Sequence, residues 1–273
     1  MAEYIGSTRD EAKGTRTAWL NIQAAREMKG RENMKKTAIV TGASGDIGKE
    51  IARFLLEKNY TVVGIYFNNN EALDELIDIY GDNLHTLKCD LSSFSCGKEI
   101  ADYISENNLN VNLLINNAGI SIIGLLQDLN EDSWNKIWNT NVTSAISVSQ
   151  ALIPLFLKQG YGQIINISSV WGNCGASCEV AYSTTKGAIN TFTKALAKEL
   201  APSNIQVNGI ACGIIDTKMN SHLDSEDIAS IIEEIPVGRL GTPEDVAKTV
   251  YSISEAGSYL TGQIITLDGG WTS

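Results

Sequence analysis

The sequence predicts an α/β fold, a doubly wound parallel sheet with helices on both faces. Three observations carry it. Short apolar runs alternate with helix-length amphipathic stretches from Lys36 to the C-terminus. The connections between runs are too long for hairpins, so they read as right-handed helical crossovers between parallel strands. The first run also empties directly into a glycine-rich turn and then a helical pattern, the order in which a strand delivers a phosphate group to a helix N-terminus.

In chain order, the first strand is KTAIV, a short buried run, and the turn Thr41-Gly42-Ala43-Ser44-Gly45-Asp46-Ile47-Gly48 leads into a helix near 47–58. TVVGIYF follows as the second strand and a helix near 70–80 returns the chain. NLHTLKC and a helix near 94–106, then VNLLIN and a long helix near 131–158, repeat the alternation. GQIINIS, a helix near 181–201, NIQVNGIAC, a helix near 243–255 and QIITLD complete it. Strands so continuously apolar are expected when both sheet faces are covered. Ligands of such sheets bind outside the carboxyl ends of the strands, where strand order reverses. Thr41, Asp90, Asn116, Ser169 and Gly213 all follow strands on that edge.

Composition fits one globular domain with a sizeable core: 273 residues, 43% hydrophobic. A formal charge of −11 and a pI near 4.7 argue against nucleic acid or an anionic membrane surface as partner. No apolar run approaches the roughly 20 residues that cross a bilayer. The five cysteines, Cys89, Cys96, Cys174, Cys178 and Cys212, are odd in number and lack paired metal-ligand spacing, which suits reduced thiols in a cytoplasm and no metal site. Residues 1–33, with six basic and five acidic side chains and no apolar signal region, read as a leader or appended extension, with a genuine N-terminal extension as the alternative. Met34-Lys35-Lys36 stands where a natural start would, so the folded domain is taken as 34–273.

Chemistry is signalled by Tyr182 and Lys186 in AYSTTKGA and by Ser169, thirteen residues before the tyrosine. On a helix, residues four apart share a face, which puts the Lys186 ammonium beside the Tyr182 hydroxyl. A phenol titrates near pH 10, so a neighbouring cation helps it exchange a proton near neutrality. Ser169, ending a strand, is placed to hydrogen-bond the same substrate oxygen. Gly42, Gly45 and Gly48 let the backbone turn tightly and approach a pyrophosphate.

With these motifs in hand, the chain resembles a short-chain dehydrogenase/reductase from about Met34 to the C-terminus. Thr41-Gly42 with Gly48 resembles that family's phosphate turn, Asn116-Asn117-Ala118-Gly119 its N-N-A-G strand end, and Asn141, Ser169, Tyr182 and Lys186 its catalytic tetrad. IPVGRLGTPEDVA and YLTGQIITLDGG are most similar to the 3-oxoacyl-acyl-carrier-protein reductase branch. The resemblance implies a Rossmann-type, seven-stranded single domain and hydride transfer between a nicotinamide and a carbonyl carbon. In it Tyr182 is the acid, Lys186 lowers its pKa and holds the nicotinamide ribose, Ser169 orients the carbonyl, and Asn141 anchors a water-linked relay. It also implies a homotetramer joined through the helices near 131–158 and 181–201.

The resemblance places the cofactor along Gly42, Ser44, Gly45, Asp46, Ile47 and Gly48, then Tyr66 and Asn68, Asp90, Asn117, Ala118 and Gly119, Tyr182 and Lys186, and Gly213, Ile215 and Thr217. Asp90 either bonds adenine or caps its own turn. Asp46 stands where the family commonly has glycine: it reads as the N-cap of the first helix, or as a carboxylate facing the pyrophosphate. The second strand ends Tyr66-Phe67-Asn68-Asn69-Asn70 without the acid that repels a 2′-phosphate, so NADP(H) is expected ahead of NAD(H), with Lys49 the nearest cation. The asparagine amides either meet that phosphate or cap the next helix. Cys212 replaces the usual proline, either loosening the turn or filling space as a buried thiol.

The expected substrate is a 3-oxoacyl thioester. Lys158 and Lys198 offer an acidic carrier protein some charge, but Gly160, Gln163 and Ser203 stand where arginine would strengthen that contact. A small ketone, sugar or CoA thioester is therefore the alternative. A non-catalytic dinucleotide sensor or scaffold is the reading from another class. The loop WGNCGASCEVA is expected to line the substrate pocket, placing Trp171, Cys174 and Cys178 near it, the two cysteines as free thiols or a redox pair.

Overall fold

In the computed structural model, residues 35–272 are described; the extension expected at 1–33 and the start at Met34 lie outside them. Lys36 onward forms one compact unit. Its strands are β1 (Thr37–Thr41), β2 (Thr61–Tyr66), β3 (Leu84–Lys88), β4 (Val111–Asn116), β5 (Gly162–Ser169), β6 (Ile205–Cys212) and β7 (Ile264–Leu267). All pair in parallel, in the order β3-β2-β1-β4-β5-β6-β7. Strand order reverses between β1 and β4, so the crevice for a ligand opens between Thr41 and Asn116.

The helices are α1 (Asp46–Glu57), α2 (Glu71–Tyr80), α3 (Cys96–Glu106), α4 (Glu131–Trp138), α5 (Ser144–Gln159), α6 (Trp171–Cys174), α7 (Val180–Leu200), α8 (Ser225–Glu234) and α9 (Pro243–Ser254). They cover both faces. Ile51, Leu55, Leu73, Leu76, Val246 and Val250 from α1, α2 and α9 pack on one side of the sheet. Ile100, Val148, Leu152, Phe156 and Leu196 from α3, α5 and α7 pack on the other. Each such side chain, fully buried, contributes about 1.5–3 kcal/mol of hydrophobic stabilisation.

All seven expected strands form. The helix expected at 131–158 is interrupted by a π-helical turn, Asn139–Thr143, and continues through Pro154. By length and composition alone this 29-residue stretch would cross a membrane. Half of its most apolar window is buried inside the fold, as in a core helix. Two helices were not expected. Short α6 follows β5; α8 buries no residue, although Ile228, Ile231 and Ile232 stand at helical spacing and a capping box joins Asp224 and Asp227 at its start.

Candidate active site

Thr41 Oγ1 accepts from the backbone N–H of Asn117 (2.9 Å) and Ala118 (3.0 Å) and donates to the Ile115 carbonyl (3.3 Å). Asn117 Nδ2 returns bonds to the carbonyls of Thr41 (2.9 Å) and Gly42 (3.3 Å). The two strand ends at the reversal are thereby stitched together. Gly42 takes φ +65°, and a Cβ on Gly48 would lie 2.2 Å from the Gly42 oxygen, so this turn excludes side chains at both positions. Gly45 is the N-cap of α1 and no side chain caps the helix. With its first N–H donors lacking a side-chain acceptor, this terminus fits a phosphate group. Ser44 and Ile47 lie half-buried along the same turn.

Asp46 is not the N-cap. It is the first helical residue, and its Oδ2 accepts from the backbone N–H of Lys218 at 2.7 Å, 172 positions away. At the end of β2, Tyr66 is half-buried and Asn68 exposed; Asn69 Oδ1 accepts from Glu71 N at 2.7 Å and so starts α2. Lys49 pairs with Glu75 at 3.4 Å. Asp90 Oδ1 accepts from the backbone and hydroxyl of Ser92 at 2.9 and 2.7 Å, which closes its own turn. Beyond β6, the Gly213 N–H donates to Leu267 (2.9 Å), Ile215 is buried and bridged to Gly241, and Thr217 Oγ1 donates to the Ile215 carbonyl at 3.3 Å.

Three elements, the π-helical turn, β5 and α7, bring Asn141, Ser169, Tyr182 and Lys186 to one place. Ser169 is the last residue of β5, and its Oγ accepts from Trp171 N at 3.2 Å. Tyr182 and Lys186 share one face of α7. Lys186 is 5% exposed; its Nζ donates to the Ile167 carbonyl at 2.9 Å and sits 5.6 Å from the centre of the Tyr182 ring. The lysine thus lies over the aromatic face, held by a backbone carbonyl. Asn141, in the π-helical turn, accepts from the Ile120 N–H (2.8 Å) and donates to the Ile120 carbonyl (2.9 Å) and Thr185 Oγ1 (3.0 Å). Extra-residue turns of this kind commonly re-aim a side chain at functional sites. A Cβ on Gly119 would stand 3.4 Å from both Asn141 Oδ1 and Lys186 Nζ.

Burial dominates the electrostatics. It pushes the Tyr182 phenol above its usual range, hydrogen bonding with Ser169 works against the rise, and Cys212 and Glu179 add to it. Burial also lowers Lys186 to about 8. An unprotonated lysine and a protonated phenol are both favoured by a dry site.

The short chain dehydrogenase family description matches residues 36–228. The chain belongs to that family. Among curated relatives, it is 38% identical to the uncharacterized oxidoreductase YmfI of Bacillus subtilis (strain 168), over 87% of this chain and 99% of the relative. It is 37% identical to the 3-oxoacyl-[acyl-carrier-protein] reductase FabG of Aquifex aeolicus, over 86% of this chain and 96% of the relative. Among solved structures, a putative NAD(P) dependent gluconate 5-dehydrogenase from Beutenbergia cavernae, with bound NADP at low occupancy, superposes with a TM-score of 0.81. It is 32% identical, covering 86% of this chain and 96% of that one.

In this short chain dehydrogenase several site residues escaped the sequence reading. Thr185 donates to the Tyr182 carbonyl (2.7 Å) while accepting from Asn141, joining the π-helical turn to α7. Glu179, three residues before Tyr182, takes a 2.6 Å hydrogen bond from Ser121 Oγ, and its charge acts on the phenol. Its position one helical turn ahead of the tyrosine was the available signal. Trp171 packs edge-on against Trp271 with ring centres 5.0 Å apart, bringing the C-terminal segment to the end of β5. Cys212 is buried and pushed up to about 12 by burial, so it fills space as a protonated thiol. Cys174 and Cys178 are free and exposed.

Proposed function

We propose that this short chain dehydrogenase is an NADP(H)-dependent carbonyl reductase whose preferred substrate is a 3-oxoacyl thioester. The observation that carries the reaction class is the convergence of Ser169, Tyr182, Lys186 and Asn141 around Gly119, at the sheet edge where strand order reverses. Bound in that crevice, a reduced dinucleotide supplies the hydride. Tyr182, kept protonated by burial, gives its proton to the carbonyl oxygen, and the Ser169 hydroxyl donates a second hydrogen bond to the same oxygen. Two aimed donors stabilise the charge that develops there. Lys186, fixed by Ile167, presents its remaining protons to the ribose side of the cleft and to the phenol. Asn141 fixes the Ile120 backbone beside them as the anchor of a water-linked relay.

NADP(H) is favoured because no carboxylate ends β2, and the NADP-bound Beutenbergia relative supports the assignment. NAD(H) meets no charge barrier there either. The thioester reading is supported by FabG relatives such as that of Aquifex aeolicus, and in it the carrier protein is the partner. The enzyme works in the cytoplasm as a homotetramer; Leu157 on α5 and Val180 on α7, both exposed, support contacts through those helices.

A specific observation favours a second reading, a small uncharged or cationic ketone. Glu179 places a negative charge beside Tyr182, and Gln163 is buried, donating to the Ser254 carbonyl at 3.0 Å rather than offering charge to an acidic carrier. A carboxylate-bearing substrate such as a sugar acid would meet repulsion at Glu179. Initial rates of NADPH and NADH oxidation with acetoacetyl-CoA, acetoacetyl-carrier protein, small ketones and sugars, with Tyr182→Phe as control, decide between them. Carrier-thioester turnover lost in the variant supports the first reading. Turnover of free ketones alone replaces it with the second, and cofactor binding without any turnover rejects both.

A further inference from the structure

We propose that Asp46 is a positioning residue that latches the segment after β6 across the dinucleotide crevice; the inference rests on reading that crevice as the cofactor site. The segment Thr217–Asp224 leaves the body of the domain once Asp216 has bonded Gly241 (2.8 Å). Thereafter its hydrogen bonds are local: Thr217 and Asn220 to the Ile215 carbonyl, Asn220 N to Thr217, Ser221 N to Lys218, Leu223 N to Asn220, and Asp224 with Asp227. Among the described residues, the bond from Lys218 N to Asp46 Oδ2 is the one that ties it to a distant part of the chain.

The flap continues through α8, which buries no residue. Its far end is fastened by Trp271 Nε1 donating to Glu234 Oε2 at 3.1 Å. Between these two staples, the stretch 217–234 is held by local bonds and partly exposed apolar side chains, among them Met219 at 48% exposure. Such a stretch opens at low cost unless its ends are pinned. A hydrogen bond accepted by a carboxylate is roughly twice as strong as a neutral one, and this one joins the flap directly to the phosphate turn. It also directs one oxygen of the only acid in that turn away from incoming phosphates. Asp46, where the resemblance expects glycine, therefore adds a latch that a glycine cannot supply.

The test reads the latch without turnover. In the wild-type protein, hydrogen exchange at the Lys218 amide is expected to be on the order of tenfold slower than at the neighbouring Met219 amide. In Asp46→Ala that protection disappears and tryptic cleavage after Lys218 speeds up by a similar factor, while the melting temperature stays close to wild type. Asp46→Asn, which keeps an acceptor oxygen, retains most of the protection. The KM for the carbonyl substrate rises several-fold in Asp46→Ala and recovers in Asp46→Asn. An unprotected Lys218 amide in the wild type, or unaltered cleavage in Asp46→Ala, overturns the proposal. Neither readout depends on which substrate is turned over, so a failure of the functional reading leaves it independently testable.

Discussion

Lys186 donates from Nζ to the Ile167 carbonyl at 2.9 Å, which pins its ammonium to β5 while it lies over the Tyr182 ring. Burial holds this lysine at about 8, below its ordinary 10.5. Its charge is therefore present below pH 8 and lost above. We expect kcat/KM for carbonyl reduction to fall by up to tenfold per unit above about pH 8, read from initial rates at limiting substrate.

Stability carries the opposite sign from activity. Between about pH 8 and 10.5 the unfolded chain keeps the Lys186 proton and the folded chain does not, so Lys186 contributes a rise in stability with pH of at most about 1.4 kcal/mol per unit, which the buried thiols Cys89 and Cys212, held protonated to about 12, oppose above about pH 9. Below pH 8 both states are charged and the cost of burying the ammonium is felt in full. Lys186→Met should flatten the rise between pH 8 and 9.5 in urea denaturation; an unchanged slope would show that another group titrates there.

On the proposed mechanism Tyr182→Phe removes the proton donor and little else, since the ring stays packed under Lys186. Reduction should drop by about 10²- to 10⁴-fold, with NADPH fluorescence titrations giving nearly the same dissociation constant. A variant that loses cofactor binding as well would mean that the phenol holds the dinucleotide rather than the carbonyl oxygen.

Gly48→Ala places a methyl group 2.2 Å from the Gly42 oxygen and 2.8 Å from Asn117 Nδ2. The first turn of α1 must then move off the strand ends. A loss of about 1–3 kcal/mol in stability and at least about tenfold weaker NADPH binding are expected from chemical denaturation and titration.

Asn141→Ala strips the Ile120 N–H and carbonyl of their side-chain partners and leaves Thr185 Oγ1 without its donor. Each buried polar group so orphaned costs about 1–3 kcal/mol. The melting temperature should fall and the rate should fall with it, whereas Asn141→Asp, which can still accept from Ile120 N but cannot donate to its carbonyl, should recover only part of the stability.

Thiol titration separates the five cysteines. Cys174 and Cys178 are exposed, while Cys89, Cys96 and Cys212 are buried, and burial also raises Cys89 to about 12. A thiol-reactive disulfide should label two sites rapidly in the native protein and all five after unfolding. Rapid native labelling of Cys212 would show that the turn after β6 opens.

Much of this was legible along the chain. The seven strands, the glycine turn and the Ser169, Tyr182 and Lys186 spacing are local patterns: continuous β-branched runs, close-packed glycines, and a helical repeat of four. They were readable because each depends on neighbours in sequence. The π-helical turn was not, because Asn139–Thr143 keeps helical composition and only the pull of Ile120 and Thr185 on Asn141 reveals the extra residue. Helix α8 was missed although its signals are local: the Asp224–Asp227 cap and Ile228, Ile231 and Ile232 at helical spacing.

The sequence by itself determined the fold class and the sheet edge at which Asn141, Ser169, Tyr182 and Lys186 meet. Only the tertiary structure decided what each polar group does with its charge: that Asp46 reaches Lys218 instead of capping α1, that Asp90 closes its own turn, that Lys49 is engaged by Glu75, and that Glu179 stands beside Tyr182. The physical reason is reach. Hydrophobic periodicity and backbone geometry are set within a few residues, whereas a polar side chain bonds whichever group the folded chain leaves within reach, two positions away at Asp90, 26 at Lys49 and 172 at Asp46.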